Sequence, residues 1–335
     1  MTIKAASIGL GWWSDELAKS IHGNSHLIQI VSCYSRDKTK RLKFANRFGS
    51  GHHDSYEAVL ADSTIDAVII STPHSLHAQH VIQAAEAGKH VFVEKPFTLT
   101  VESARKATAA CRSAGVVLAV GHNRRFCASA TRLKELQVEG IFGTLLHLEA
   151  NFSAPGALAY TPDRWRANRI ESPAGGIAAL GIHLIDLLCY FAGSITRVNA
   201  QAKRRVVTVD MDDTTSVLFE FESGATGYLG CMFACPYTSF LKVYGTKANA
   251  FAKVDADRLS AQMSGKQESE IVIEPVDTLK LELEEFALSC TQGTPFRVTP
   301  EQAASNVAVM QAISLSAGVG SPVEIADDFT KAWKN

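Results

Sequence analysis

Residues 5–14 read A-A-S-I-G-L-G-W-W-S and decide how the first part of the chain folds. The apolar residues at 5–8 predict a short buried strand, and the residues after Gly11 begin a helical pattern. Gly9 permits a tight turn, and Gly11 lets the backbone approach a phosphate at the amino terminus of the helix. Dinucleotide fingerprints carry Gly or Ala at the third position, where this chain has Ser14, which is small enough for close packing. The stretch therefore predicts a dinucleotide-binding turn.

Beyond this turn the pattern of the sequence changes once, near residue 120. Up to about residue 120, short β-branched runs alternate with helical patterns, which predicts βαβ units and a parallel sheet. A helical stretch and then short runs separated by Gly, Asp and Ser follow, which indicates a mostly antiparallel sheet with helices on one face. The predicted fold class is α/β: an N-terminal Rossmann doubly wound parallel sheet at 1–122, and a C-terminal α+β domain with a large open, mostly antiparallel sheet at 123–335. The predicted strands are 5–8, 28–34, 67–71, 90–93, 116–120, 197–207, 214–221, 225–233 and 240–244, and the predicted helices are 15–21, 39–48, 76–87, 101–114, 176–191, 279–290 and 300–316.

Composition bounds the class of protein. The chain has 335 residues, 46% hydrophobic and 20% charged, and its 33 Lys+Arg nearly cancel its 34 Asp+Glu. This balance argues against a nucleic-acid or membrane surface. The first residues run into a strand pattern without a signal peptide, so we expect a cytoplasmic protein. The seven cysteines are scattered, which predicts reduced thiols. His74, His77 and His80 recur at helical spacing without a nearby carboxylate or thiol, so no metal site is predicted.

A second informative stretch is Gly88–Pro96, G-K-H-V-F-V-E-K-P. It reads as a buried strand that ends in two opposite charges, Glu94 and Lys95. Ligands of an open parallel sheet bind beyond the carboxyl ends of its strands, so this pair is placed for chemistry. The alternative is a surface ion pair after a strand.

The end of the second strand bears on the choice of cofactor. Ser35 and Arg36 stand about where an acid would hold the ribose 2′-hydroxyl of NAD. A guanidinium binds a phosphate through a planar fork, which favours NADP over NAD. Asp37 keeps NAD open as an alternative, and a solvated basic start of a helix is the structural alternative.

These motifs, together with Ser71-Thr72-Pro73 and a stretch at 121–126, G-H-N-R-R-F, resemble the Gfo/Idh/MocA oxidoreductases. The similarity continues through Trp165-Arg166 and Gly175-Gly176 to Gly181–Asp186, G-I-H-L-I-D. The resemblance implies an NAD(P)-dependent enzyme that oxidises or reduces an alcohol carbon of a sugar, sugar acid or polyol, and a sheet that serves oligomer contacts. It also implies a cleft between two domains for nicotinamide and substrate. A dihydrodiol dehydrogenase and a non-catalytic NAD(P)-binding sensor are the alternatives.

The resemblance also assigns roles to residues. It implies that Lys95 holds the reacting hydroxyl and that His183 accepts its proton, as a group with an unperturbed pKa of about 6.5 can. Many members carry an Asp four residues before the histidine, and this chain has Ala179 there. The predicted cofactor-binding residues are Gly9, Gly11, Trp12, Trp13, Ser35, Arg36, Thr72, Pro73, His77, Glu94, Lys95 and Asn123.

Substrate contacts are predicted at Lys95, His183, Arg124, Trp165 and Arg166. Guanidinium groups beside an aromatic ring form a good surface for a sugar that bears a carboxylate or phosphate. A solvated loop with a structural Trp is the alternative. We expect one of Arg124 and its neighbour Arg125 to reach the cleft and the other to be exposed. A small-molecule substrate and a homo-oligomer, a dimer or tetramer through the C-terminal sheet, complete the predicted partners, with no nucleic acid and no membrane among them.

Overall fold

A computed structural model describes residues 1–326, 329 and 331–333 of the chain. It divides into two compact units, Met1–Asn123 with Asp277–Pro300, and Arg124–Val276 with Glu301–Asn335. The predicted division at 122/123 stays a prediction about folding domains. The first unit also contains a late helix, α8 (Thr278–Gln292), which that division assigned to the second domain.

The first unit is built on a parallel sheet in the order β2-β1-β3-β4-β5 within the described residues. The strand order reverses between β1 and β3, and ligands of such sheets bind at this switch point. Central strands are buried on both faces, as the four buried residues of β3 illustrate. The strands are β1 (Ile3–Ile8), β2 (Ile28–Tyr34), β3 (Ala67–Ile70), β4 (His90–Glu94) and β5 (Leu118–Gly121).

Helices of the first unit begin and end where the sequence supplies caps. The side chains of Asp37, Ser55 and Thr100 each accept a backbone N–H of the following helix. Gly49 and Gly115 end their helices in the left-handed region, which favours glycine. The helices are α1 (Trp12–Ile21), α2 (Lys38–Phe48), α3 (Tyr56–Ala61), α4 (His77–Glu86), α5 (Val101–Ala114) and α8 (Thr278–Gln292).

The second unit has a mixed sheet in the order β13-β12-β11-β10-β6-β9-β8-β7-β14, counting only described strands. Its pairs are antiparallel except β6 with β9. Buried and half-buried residues alternate along β6 and β10, the pattern of a sheet with one covered face. Helix α7 packs on β6 and β9, and α6 packs on β11 and β12. The elements are α6 (Ala128–Val138), β6 (Leu145–Ser153), α7 (Gly181–Ala192), β7 (Ile195–Lys203), β8 (Thr214–Phe221), β9 (Thr226–Met232), β10 (Thr238–Gly245), β11 (Ala248–Lys253), β12 (Arg258–Met263), β13 (Ser269–Ile271), α9 (Pro300–Val319) and β14 (Val323–Glu324).

The predicted fold class is confirmed in both units. Every predicted strand and helix is present, with ends shifted by a few residues, and the helix predicted at 176–191 begins at Gly181 after a 3₁₀ turn over Gly175–Ile177. The sequence patterns missed α3, α6, β6 and β11 to β14. Within the described part of the chain, no helix is long and apolar enough to cross a membrane.

Candidate active site

The glycine turn after β1 is held against the end of β3. Gly9 has φ +88°, and a side-chain Cβ there would lie 2.7 to 2.9 Å from atoms of Thr72 and Ser71. The Ser71 hydroxyl donates to the Gly9 carbonyl at 2.8 Å. Only glycine meets both the backbone conformation and the close approach. The predicted turn therefore lies at the switch point of the sheet.

Gly11 faces the open side of the same turn. A Cβ there would meet no described atom within 4 Å, so the glycine leaves open space in front of α1. No described side chain caps this helix at Gly11, and its first N–H groups have no intrahelical acceptor. Trp12 is 73% exposed, and the buried indole N–H of Trp13 has no acceptor among described groups. Ser14 is buried and donates to the Gly11 carbonyl at 2.7 Å. The open space at Gly11 and the uncapped N–H groups of the first turn of α1 fit a pyrophosphate, which those N–H groups would hold.

The residues after β2 differ in whether their side chains make hydrogen bonds or ion pairs. The carboxylate of Asp37 accepts the N–H groups of Thr39 and Lys40 as the cap of α2. Arg41 is buried, donates to the Ser35 carbonyl at 2.7 Å and pairs with Asp54 at 2.8 Å. Arg36, Lys38 and Lys40 are all exposed, and Arg36 is the one whose planar guanidinium stands closest along the chain to the end of β2.

Glu94 and Lys95 lie at the carboxyl end of β4. Glu94 is paired in register with Gly121 of β5, and a Cβ at Gly121 would lie 2.8 Å from a Glu94 carboxylate oxygen. The glycine therefore makes room for the buried carboxylate, which accepts the Lys95 N–H at 3.2 Å. Lys95 is half-buried, and a buried Phe97 follows it. The Lys95–Pro96 peptide bond is cis.

The three histidines at helical spacing contact backbone carbonyls, a hydroxyl group and one another. His77 lies between the carbonyl oxygens of Thr72 and Pro96, and His80 contacts the Thr72 hydroxyl at 3.2 Å. Burial lowers the pKa of both His77 and His80 to about 4. His74 is buried with its ring edge toward His77. No group of three or more His, Cys, Asp or Glu in the described part of the chain is arranged to hold a metal.

Asn123 begins the 3₁₀ turn after β5, at the edge of the sheet that carries Lys95. Its amide donates to the Thr278 hydroxyl of α8 at 3.4 Å, a contact inside the first unit. Pro73 precedes another 3₁₀ turn after β3 and is half-buried. The cofactor roles of both residues stay predictions.

His183 belongs to the second unit, in the first turn of α7. It is 4% exposed, and its ring lies 6.1 Å from that of Phe152. Glycines bring this helix close to the sheet, since a Cβ at Gly176 would lie 2.9 Å from the Cys231 sulfur and one at Gly181 would lie 2.8 Å from an Ile177 methyl. The glycines before His183 thus let the start of α7 approach Cys231 of β9, and the histidine ring lies near Phe152 of β6.

Asp186, one turn after His183, is a structural residue. Its carboxylate pairs with Arg125 at 2.6 and 3.0 Å and accepts the Asn306 amide at 2.9 Å. Arg125 also lies over the rings of Tyr190 and Trp333. This buried network fixes α7 to the neighbouring helices. The partners lie 61 and 120 residues apart, and no local pattern indicates them.

Arg124 and Arg125 are both buried, so the expectation that one of them would be exposed is wrong. The reason is pairing: Arg124 lies 2.7 Å from Asp255 and 4.4 Å above the Phe152 ring. Tyr237 also hydrogen-bonds Asp255 and contacts Phe152 edge to face. Burial, followed by the nearby Asp255, raises the pKa of Tyr237 to about 12. Arg124 therefore lies beside the aromatic ring that His183 contacts, and Tyr237 is a neighbour that the sequence patterns missed.

The predicted Trp165 and Arg166 pair with each other. The Arg166 guanidinium lies 4.1 Å from the Trp165 ring centre, so it covers one face of that ring. Asn168 orders the segment, since its amide donates to the Trp165 carbonyl and its oxygen accepts two backbone N–H groups. A role of Trp165 and Arg166 in substrate binding stays a prediction.

Ala179 is half-buried and packs against an apolar cluster. The buried members of the cluster include Val209, Met211 and Phe233, and Tyr160 packs beside them. A methyl group thus takes the place at which many family members carry a carboxylate. The surroundings of this position are apolar in this chain.

Three features define an NAD(P)-binding oxidoreductase. They are the glycine turn at the switch point of the parallel sheet, the open amino terminus of α1, and Lys95 at the carboxyl end of β4. Residues 3–122 match the profile described as an oxidoreductase family with an NAD-binding Rossmann fold, and residues 130–251 match the GFO/IDH/MocA C-terminal domain. The chain belongs to the Gfo/Idh/MocA family, as its motifs predicted. The predicted oxidoreductase class is confirmed.

Two curated relatives align with most of the chain. It is 31% identical over 312 residues to the D-xylose 1-dehydrogenase (NADP(+)) 2 of Haloferax volcanii, covering 89% of this chain and 92% of the relative. It is 29% identical to the scyllo-inositol 2-dehydrogenase (NAD(+)) of Bacillus subtilis, covering 96% of each. A crystal structure from Desulfitobacterium hafniense, provisionally described as an NADPH-dependent oxidoreductase, has a TM-score of 0.92 at 31% identity and covers 98% of this chain and 99% of its own.

Proposed function

We propose that the protein oxidises a secondary alcohol of a sugar, sugar acid or polyol, or reduces the matching ketone, with NADP favoured over NAD. The observation that carries the proposal is the position of Lys95 at the carboxyl end of β4, in the same parallel sheet whose switch point holds the glycine turn. The xylose and inositol dehydrogenases among the relatives support the substrate class.

The proposed chemistry divides between a few side chains. The ammonium of Lys95 holds the reacting oxygen and stabilises the negative charge that develops on it. An imidazole nitrogen of His183 takes the hydroxyl proton in oxidation and returns it in reduction. The Glu94 carboxylate, placed by Gly121, fixes the backbone at Lys95. Bound nicotinamide supplies the hydride acceptor or donor.

The preference for NADP rests on the residues after β2. Asp37 uses its carboxylate to cap α2, which leaves it less suited to accept hydrogen bonds from a ribose. Arg36 is exposed at the same strand end, where its guanidinium would pair with a 2′-phosphate. The NADP-dependent xylose dehydrogenase supports this choice, and the NAD-dependent inositol dehydrogenase represents the alternative.

A dihydrodiol substrate is the second candidate, because Ala179 lies in apolar surroundings. A ring that carries fewer hydroxyl groups than a sugar leaves no polar group unpaired against a methyl. The trans-1,2-dihydrobenzene-1,2-diol dehydrogenase of Mus musculus, 30% identical over 66% of both chains, supports this candidate.

A panel of sugars, sugar acids, polyols and cyclic diols, assayed by the absorbance of reduced nicotinamide with NADP and with NAD, tests the function. We expect turnover on a polyhydroxy substrate and a higher kcat/KM for NADP. Turnover on cyclic diols alone would favour the second candidate. Tight cofactor binding without turnover on any alcohol or ketone would contradict both.

We also propose a cytoplasmic homo-oligomer, a dimer or tetramer, that uses the partly exposed face of the nine-stranded sheet. Apolar groups on this sheet support it, since Phe240 pairs with Phe251 and Leu218 is 56% exposed. Sedimentation of the wild type and of Leu218→Glu tests the assembly. A wild-type monomer at micromolar concentration would contradict it.

A further inference from the structure

His77, the first residue of α4, lies between two loops of the first unit. It is 1% exposed, its Nδ1 is 2.9 Å from the Pro96 carbonyl oxygen, and its Nε2 is 3.0 Å from the Thr72 carbonyl oxygen. Thr72 follows β3 and Pro96 follows β4, two neighbouring parallel strands. One side chain therefore spans the carboxyl ends of both strands.

Each of these carbonyl groups adjoins a residue of the proposed active site. The Pro96 carbonyl is one residue beyond Lys95. The backbone of Thr72 lies directly against Gly9, where a Cβ would come within 2.8 Å of the Thr72 nitrogen. His77 thus contacts the backbone on which Lys95 is mounted and the backbone on which the cofactor turn rests.

The ring cannot donate to both oxygens while it is neutral, because a neutral imidazole carries one N–H. Burial lowers the pKa of His77 to about 4, although both carbonyl contacts raise it. Near neutral pH one nitrogen therefore donates. Nδ1 contacts the Pro96 carbonyl and Nε2 contacts the Thr72 carbonyl at nearly equal distances, so variants that keep one donor at a time distinguish the two tautomers.

We propose that His77 is a positioning residue of the reaction: its Nδ1–H holds the Pro96 carbonyl and so sets where the Lys95 ammonium meets the reacting oxygen. This inference rests on the proposed role of Lys95. It predicts a larger effect on turnover than on cofactor affinity, because the phosphate groups of the cofactor would bind at Gly11 and the start of α1.

Two conservative variants separate the two nitrogens. The amide nitrogen of His77→Asn takes about the place of Nδ1 and keeps a donor for Pro96, whereas that of His77→Gln extends toward the place of Nε2 and Thr72. His77→Leu removes both. His90→Leu is the matched control, because His90 begins the same strand β4 at the end away from Lys95, and its ring accepts the Val117 N–H at 3.0 Å.

Steady-state kinetics on a substrate found in the panel, with cofactor affinity from tryptophan fluorescence, provides the test. We expect kcat to fall by about 10- to 100-fold in His77→Leu and His77→Gln, to recover in His77→Asn, and to hold in His90→Leu. Cofactor affinity should change far less than kcat in the His77→Leu and His77→Gln variants and stay near wild type in His90→Leu. Wild-type kcat in His77→Gln, or an equal loss in His77→Asn and His77→Gln, would overturn the assignment. If His77→Leu fails to fold, the Asn and Gln pair decides.

Lys95→Met in the same assays separates this inference from the proposed function. If Lys95→Met retains turnover, the role of Lys95 fails. If Lys95→Met loses turnover while His77→Gln keeps it, the role of Lys95 stands and that of His77 fails.

Discussion

The two halves of the proposed chemistry are built in different ways. Around Gly9 and Lys95 the first unit places backbone: glycine conformations, strand ends and uncapped N–H groups. Around His183 the second unit places side chains, held by the buried pair of Arg125 and Asp186 and by the pair of Arg124 and Asp255. A site made of backbone depends on glycine positions, whereas a site made of side chains depends on partners far apart in sequence. The two regions should therefore fail in different ways when they are mutated.

The largest effect is expected at His183, where a single side chain carries the proton. His183→Ala should lower kcat by about 10²- to 10⁴-fold, since general acid–base groups contribute that much. Steady-state kinetics measures it. His147→Ala, on β6 of the same unit, is the control and should keep its turnover. Near-normal kcat in His183→Ala would remove the residue from this role.

The buried pair of the second unit should limit stability rather than chemistry. Asp186→Ala leaves the Arg125 guanidinium buried without its carboxylate, which should destabilise folding by about 3–5 kcal/mol. Urea unfolding measures this. The double variant Arg125→Met/Asp186→Leu removes both charges and should recover part of the loss. A double variant that loses more stability than Asp186→Ala would contradict the coupling of the two charges.

Substitutions at three glycines of the first unit distinguish the effect of backbone strain from the effect of a steric contact. Gly9→Ala should cost about 1–3 kcal/mol, because its φ of +88° is strained and its Cβ meets Thr72. Gly115→Ala has a φ of +66° with no described atom within 4 Å of the Cβ, so it should lose less stability. Gly11→Ala should fold normally and bind cofactor more weakly. Equal losses of stability in Gly9→Ala and Gly115→Ala would contradict the contact with Thr72.

The smallest effect concerns the choice of cofactor. Arg36→Ala should lower the preference for NADP over NAD by about 10-fold, or about 1.4 kcal/mol. The ratio of the two kcat/KM values measures it. Lys43→Ala removes the same charge from an exposed position of α2 and serves as the control. An unchanged ratio in Arg36→Ala would mean that its guanidinium does not select the cofactor.

The backbone-built region could be predicted from the sequence, because its signals are local. The positions of Gly9, Gly11 and Lys95 follow from strand ends and turns within a few residues, and β1 to β5 lie where the patterns placed them. Asp37 shows the limit of this reasoning. Its spacing allowed a ribose contact, but the same carboxylate caps α2, and spacing alone does not distinguish the two uses.

The side-chain-built region could be predicted only in outline. His183 was identified through a motif, but Asp186, in the same motif, pairs with Arg125 and Asn306, which lie far away in the chain. Tyr237 and Asp255 carry no motif and meet Arg124 only through the pairing of strands. Such contacts depend on tertiary structure, and the local patterns of a single sequence do not predict them.

Lys95→Met tests the central claim most directly, because the claim is that a lysine at the end of β4 acts on a reacting hydroxyl. Turnover is measured on a substrate of the wild type, and cofactor affinity is measured by fluorescence. We predict a fall in kcat of about 10²- to 10³-fold, the loss expected when one stabilising donor is removed, with a far smaller change in cofactor affinity. Wild-type turnover in Lys95→Met would contradict the account.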